Sequence, residues 1–444
     1  MIITNGIVIT WGEPNEILEG QDLLIQDGLI AGIGKKGRFE PDNPDEEVLD
    51  AGGQLVMPGN ICAHTHFYGA FSRGMSIPGD PPANFSEILA SLWWKLDKAL
   101  DEDGVRYSAL VCLADAIKYG TTTLFDHHAS PNCIDGSLDI EHDAIVEAGL
   151  RASICYEVTD RDGNERALAG VRENGRFISR VLKGEANPLV RAHFGLHASL
   201  TVSDATLEAC LVENNGRAGF HSHASEGVVD EDDSLKKYGV RVIRRFADRG
   251  VLGPKTILAH GVHADDEEIE LLKQSQTWLT HQPRSNMNNG VGVAPIPEML
   301  KRGVKVGLGN DGFSNAMWQD WNEAYLIQKD AHLDPRMMGG YDVVKMAVTN
   351  NSQLATETYD NLRIGRVEKG AAADIILVDY HPTTPMTTGN LPWHILFGFR
   401  DGMVTATIVA GKLLMKDRKL LTLDEAEIAV KSREIAARTW TKVK

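Results

Sequence analysis

Short apolar runs recur through the middle of the chain, and several end in a histidine or an aspartate. Between them lie stretches whose apolar residues return every three or four positions, as on one face of a helix. The expected strands cover residues 55–63, 121–126, 151–157, 190–196, 218–223, 256–260, 277–281 and 305–310. Helices are expected over 102–119, with Gly120 as a stop, over 266–274 and over 297–302. Strands alternating with helices in this way predict a parallel sheet, and eight of them predict a closed (β/α)8 TIM-type barrel. Loops that follow barrel strands form the active-site face. Two long inserts, 67–92 and 126–138, follow the first and second strands and belong there.

The chain ends read differently. Residues 1–10, 22–25 and 29–33 are rich in Ile, Leu and Val, with turn formers such as Asp27-Gly28 between them. Residues 373–379 and 405–415 return to this character. Both ends are therefore expected to build one small β-sandwich domain, from 1–54 and 371–444, around a barrel at 55–370.

The polar residues at the strand ends carry the chemistry. His64 and His66 close the first run, and residues two apart on a strand point to one face. His221 and His223 end the fifth, with Glu226 three residues on, and His197 follows the fourth. His260 ends the sixth, and Asp311 follows the eighth. If the barrel closes, these groups meet at one mouth. His64, His66, His223 and Asp311 then offer nitrogen and oxygen donors suited to one divalent ion, Zn²⁺ or Fe²⁺. Such an ion brings water to a pKa near ~7. Asp311 is placed to take the water's proton, and His260 to hydrogen-bond the attacking oxygen. Glu226 is placed to protonate a substrate nitrogen. His221 reads as a packing or supporting residue, outside the metal set.

Composition narrows the classes. The chain has 444 residues, is 43% hydrophobic and carries a formal net charge of −17. That charge argues against nucleic acid or an anionic membrane as partner. No run approaches the ~20 apolar residues of a membrane span, and the N-terminus lacks the pattern of a signal peptide. Five cysteines without a C-x-x-C pair fit reduced thiols in a cytoplasmic protein.

The segments around residues 56–66, 220–226, 259–263 and 309–312 resemble the amidohydrolase superfamily. Within it they resemble the aminohydrolase branch of adenosylhomocysteine/methylthioadenosine deaminases, guanine deaminase and triazine hydrolases. Residues 66–74, 92–97, 126–131 and 283–290 look closest to the SsnA-type aminohydrolases. The resemblance implies one metal on His64, His66, His223 and Asp311, catalytic roles for Glu226 and His260, and substrate contact for His197. It also implies a homo-oligomer, a dimer or larger.

The departures bear on substrate. Arg284 stands where adenosine-type relatives carry a small residue. A guanidinium there favours a carbonyl-bearing or anionic substrate, or else pairs with a carboxylate of its own protein; Arg73 has the same two readings. Trp93 and Trp94 either stack on a flat ring or pack a helix onto the barrel. The ribose-gripping residues of adenosine-type relatives have no match in 84–92, which shifts the expectation to free bases, pterins and related azaheterocycles. The expected reaction is deamination of such a heterocycle with release of ammonia. The alternative is ring opening of a cyclic amide or imidazolone on the same single metal. A two-metal site is disfavoured, because 190–197 holds no lysine for a bridging carbamate.

Overall fold

The computed structural model describes residues 1–77 and 79–443. Eight parallel strands form the barrel: β1 (Asn60–Thr65), β2 (Thr121–Asp126), β3 (Arg151–Ile154), β4 (Phe194–Ala198), β5 (Phe220–Ala224), β6 (Ile257–His260), β7 (Trp278–His281) and β8 (Lys305–Leu308). A short lead-in, Val190–Ala192, pairs with β3 and hands over to β4 after His193. Each strand pairs with the next in sequence except at β3, which pairs with the lead-in, the link onward to β4 being a single Val158–Leu196 bridge. The circle closes through a Thr65–Asp311 bridge and an Asn310 N–H to His64 O bond of 3.0 Å. Gly309 permits this closure: a Cβ there would sit 2.7 Å from the His64 carbonyl oxygen.

The strands are short and almost wholly buried, as expected where side chains fill the barrel and helices cover its outside. The helix α1 (Glu102–Lys118) is capped by Asp101, whose side chain accepts from the Gly104 N–H. It ends beside Gly120, which adopts φ +71.

The apolar run expected as one strand over 55–63 divides at Gly59. Leu55–Pro58 joins the sheet built by the chain termini, pairing antiparallel with Ile375–Val378, and only the part from Asn60 enters the barrel. Likewise 405–415 is a hairpin of Val404–Val409 and Lys412–Lys416, turned at Ala410-Gly411, both with positive φ. In both runs the break falls at a glycine, Gly59 and Gly411.

Among the described residues the terminal sheet has nine strands. It coils on itself, with the Ile30 N–H bonded to Ala371 O at 2.9 Å. Its faces serve two cores. Ile375 and Leu377 pack inside the sheet, while Ile376 and Val378 join the barrel's apolar core. That double burial explains why Ile-Ile-Leu-Val is apolar throughout rather than alternating. A buried Arg151–Asp374 ion pair at 2.6 Å ties β3 to the sheet.

Candidate metal centre

His64 on β1, His66 just after it, His223 on β5, His260 on β6 and Asp311 after β8 meet at the C-terminal mouth of the barrel. His66 Nε2 lies 3.1 Å from His223 Nε2 and 2.8 Å from Asp311 Oδ1, and His64 Nε2 lies 3.3 Å from the same Asp311 oxygen. Donor atoms of His64, His223, His260 and Asp311 fall within 4.8 Å of one another, as do those of His64, His66, His127 and His223.

The supporting bonds decide which ring nitrogens face inward. His66 Nδ1 donates to the His127 carbonyl at 2.6 Å, and His223 Nδ1 to the His197 carbonyl at 2.9 Å. In the neutral rings both Nε2 atoms are then lone pairs, 3.1 Å apart and facing each other. A divalent cation resolves that repulsion, and outer partners that fix the tautomer are usual for metal-binding histidines. Without a cation, a proton on His66 does the same work. Burial opposes that proton, but Asp311 and Glu157 hold it on the ring to a pKa of about 9. His64 behaves oppositely, pushed down to about 3 by burial despite Asp311. The residues present therefore fit a divalent ion.

Three residues around the cluster have left-handed backbone: Ser225 at φ 54, His260 at φ 80 and Asp311 at φ 58. Non-glycine residues seldom hold that conformation, and it gathers where a strand end must aim a side chain.

A short helix, α2 (Pro283–Asn289), positions three groups at once. Proline starts it and Gly290 in the left-handed region ends it. Ser285 Oγ donates to Asp311 Oδ2. Asn286 Oδ1 accepts from His260 Nδ1 at 2.8 Å, which leaves His260 Nε2 facing the cluster. Asn289 Nδ2 donates to Glu226 Oε1 at 3.3 Å. Glu226 Oε2 is 3.5 Å from His260 Nε2. Burial, reinforced by Asp311 and opposed by His260, pushes the Glu226 carboxyl up to about 7.

Above the cluster lies a cavity open to its mouth. The first insert lines it with Tyr68, Phe85, Leu89, Trp93 and Trp94, the last four on one helical stretch over 85–99. Pro78 of that insert lies outside the described residues. His197 lines the cavity too, its Nδ1 bonded to Thr201 Oγ1 at 2.6 Å.

Arg284 and Arg73 stand apart from the cavity. Arg284 is buried on α2 and paired with Asp320 at 2.6 Å. Arg73 is exposed and paired with Asp115 at 2.7 Å. The internal-carboxylate alternative describes both arginines. Among the described residues no Lys or Arg lines the cavity, whereas Asp97, Glu157 and Asp230 do.

Two site residues were not singled out from the sequence. Glu157, just past β3, lies 3.3 Å from His66 Nδ1, 3.2 Å from His127 Nδ1 and 3.7 Å from His197 Nε2. These imidazoles hold its carboxyl far below the usual range even though burial pushes the other way. His127 donates from Nε2 to the His221 carbonyl at 3.0 Å. The available signal was position: each follows a strand end, as His64 and His223 do.

An eight-strand barrel with histidines on β1, β5 and β6 and an aspartate after β8 describes a metal-dependent amidohydrolase. The amidohydrolase family profile matches residues 55–414, and the chain belongs to that family, in its deaminase branch. It is 30% identical to a 5′-deoxyadenosine deaminase of Methanosarcina barkeri over 100% of this chain and 99% of that one. It is 28% identical to a 5-methylthioadenosine/S-adenosylhomocysteine deaminase of Acetivibrio thermocellus, over 99% of each. A zinc-bound adenosine deaminase from Xanthomonas campestris has the same fold, with a TM-score of 0.85 at 20% identity over 99% and 98% of the chains. The guanine deaminase of C. acetobutylicum, seen with guanine bound, follows with a TM-score of 0.78 at 19% identity over 93% and 99%. The protein is a metal-dependent hydrolase of carbon–nitrogen bonds that deaminates a nitrogen heterocycle. Among the described residues no helix is long and apolar enough to cross a membrane.

Proposed function

We propose that the substrate is a flat azaheterocycle bearing an exocyclic amine, an oxo-purine, a pterin or a related ring, and that ammonia is the product. The observation that carries this reading is the pair Glu226 and His260 beside the His64, His66, His223 and Asp311 donors, under an aromatic-walled cavity. Zn²⁺ is the ion proposed, because imidazole and carboxylate donors suit it. Bound there, the cation supplies Lewis-acid activation of water. Asp311 accepts the water's proton, its second oxygen steadied by Ser285. His260, aimed by Asn286, offers Nε2 to the oxygen as it adds to the ring carbon. Glu226, held by Asn289 and raised to about 7, gives its proton to the ring nitrogen; the amine departs with the proton that Asp311 accepted, and the proton left on the added oxygen returns to Glu226 as the carbonyl forms.

Trp93 and His197 are the proposed ring contacts. Glu157, the cavity acid held as a carboxylate, favours a ring presenting an N–H edge, as lactam-type purines and pterins do. Arg284 and Arg73 give no support to an anionic substrate. A second reading, a nucleoside, is favoured by the curated relatives, which are named for 5′-deoxyadenosine and methylthioadenosine. We further propose the SsnA-type group as this chain's subgroup, the barrel over 55–370 as its catalytic unit, and a dimer or larger in the cytoplasm.

The test is ammonia release from guanine, 8-oxoguanine, isoxanthopterin, cytosine, adenosine, methylthioadenosine and aminotriazines. Turnover of oxo-bases or pterins alone bears out the proposal, and nucleoside turnover selects the second reading. Ring opening would instead generate a new carboxylate without ammonia.

A further inference from the structure

A second group of donors lies behind the first. Adjacent residues of an extended segment point to opposite sides, so His127 turns to the histidine cluster while Asp126 and His128 turn away from it. On that far side they meet Glu141, from the helix Ser137–Ala148. Donor atoms of the three lie within 4.8 Å of one another, and each residue is at most 1% exposed.

The hydrogen-bond ledger of this group does not close. Ser130 Oγ donates its one proton to Cys133 O at 2.6 Å, so it accepts from His128 Nε2 at 2.8 Å. The neutral His128 ring therefore presents a bare Nδ1, and that atom lies 2.7 Å from Glu141 Oε1. Asp126 Oδ1 accepts from the Phe67 N–H at 2.6 Å. Among the described residues Asp126 Oδ2, His128 Nδ1 and both Glu141 oxygens accept no hydrogen bond. Among the described residues no Lys or Arg pairs with either carboxylate. Two buried carboxyl groups and an imidazole lone pair thus converge; burial pushes both carboxyls well up, so without a cation it is protons that hold the group together.

The geometry points to a second divalent-cation site formed by Asp126, His128 and Glu141. One dication neutralises both carboxylates and takes the His128 lone pair. One nitrogen with carboxylate oxygens suits a first-row ion such as Mn²⁺, Fe²⁺ or Zn²⁺. Its role would be structural. It would join the end of β2 to the helix over 137–148 and, through the Phe67 N–H, brace the chain immediately after His66.

The test strips the full-length protein with a chelator, reloads it with Zn²⁺, removes free metal and counts Zn²⁺ per chain. Two ions per chain are expected in the natural protein, and one in Glu141→Gln and in Asp126→Asn, with the secondary-structure spectrum unchanged. His64→Ala should lose the other ion. Zinc-edge anomalous scattering from crystals of the unsubstituted protein reads the site without any variant, and should give a peak among the three side chains. One ion per chain in the natural protein, or two with no peak there, overturns the proposal and leaves the carboxyls protonated.

Discussion

Arg284→Met separates support of the fold from contact with substrate. All five N–H groups of Arg284 are committed inside the protein: Nε to Asp320 Oδ1 at 3.0 Å, Nη1 to Ser314 Oγ at 3.2 Å and Gln319 Oε1 at 2.9 Å, and Nη2 to Ser314 O at 2.7 Å and Asp320 Oδ2 at 2.6 Å. None is left for a ligand. Asp320 is fully buried, and burial raises its carboxyl to about 6 even against the pull of Arg284. Removing the cation strands that carboxylate, and breaking a buried pair from one side costs roughly 3–5 kcal/mol. Arg284→Met should therefore lower the urea stability at pH 7.5 by about that amount, while the folded fraction keeps KM within about twofold. Arg284→Met/Asp320→Leu, which removes both charges, should recover most of the loss. Unchanged stability together with a tenfold rise in KM would refute this reasoning and return Arg284 to the substrate.

Glu226→Gln should lower kcat by roughly 10²–10⁴ while the bound metal stays at its natural content, measured by steady-state kinetics and metal analysis on one sample. Gly309→Ala should reduce both metal content and activity, because its Cβ would press within 2.8 Å of the His64 backbone nitrogen and displace β1; full occupancy in that variant would count against the closure described here. Asp230 supplies a pH signature. Burial and the neighbouring Glu231 raise its carboxyl to about 8 from 3.8, so the folded state holds a proton that the unfolded chain releases. This contribution is complete below about pH 4 and is lost as pH rises towards 8, by at most about 6 kcal/mol. Asp230→Asn, which keeps an oxygen for the Ser225 N–H, should flatten that slope in pH-dependent unfolding.

The barrel and the histidine and aspartate cluster at its mouth were legible because each rests on a local pattern. A buried parallel strand writes an apolar run, and a catalytic residue at its end interrupts that run with a histidine or acid, as at His64, His223 and His260. What depends on long-range pairing was not legible. Pro58-Gly59 offers a break in residues 55–63, but only the pairing of Leu55–Pro58 with Ile375–Val378 shows that the chain leaves one sheet for another there. The fate of Arg284 depends on Asp320, 36 positions away. The short helix at 283–289 shows how position decides role: Ser285, Asn286 and Asn289 are ordinary polar residues until the fold sets them against Asp311, His260 and Glu226. Glu157 escaped notice because a lone glutamate after a strand reads as surface until three imidazoles surround it.

The most direct measurement is the rate of ammonia release as Zn²⁺ is returned stepwise to chelator-stripped protein, with a substrate identified in the panel. Metal dependence predicts no release from the stripped protein, recovery as the ion returns, and no recovery in His66→Ala at any loading. Full turnover by the stripped protein, or normal turnover in His66→Ala, would contradict a reaction centred on the His64, His66, His223 and Asp311 cluster.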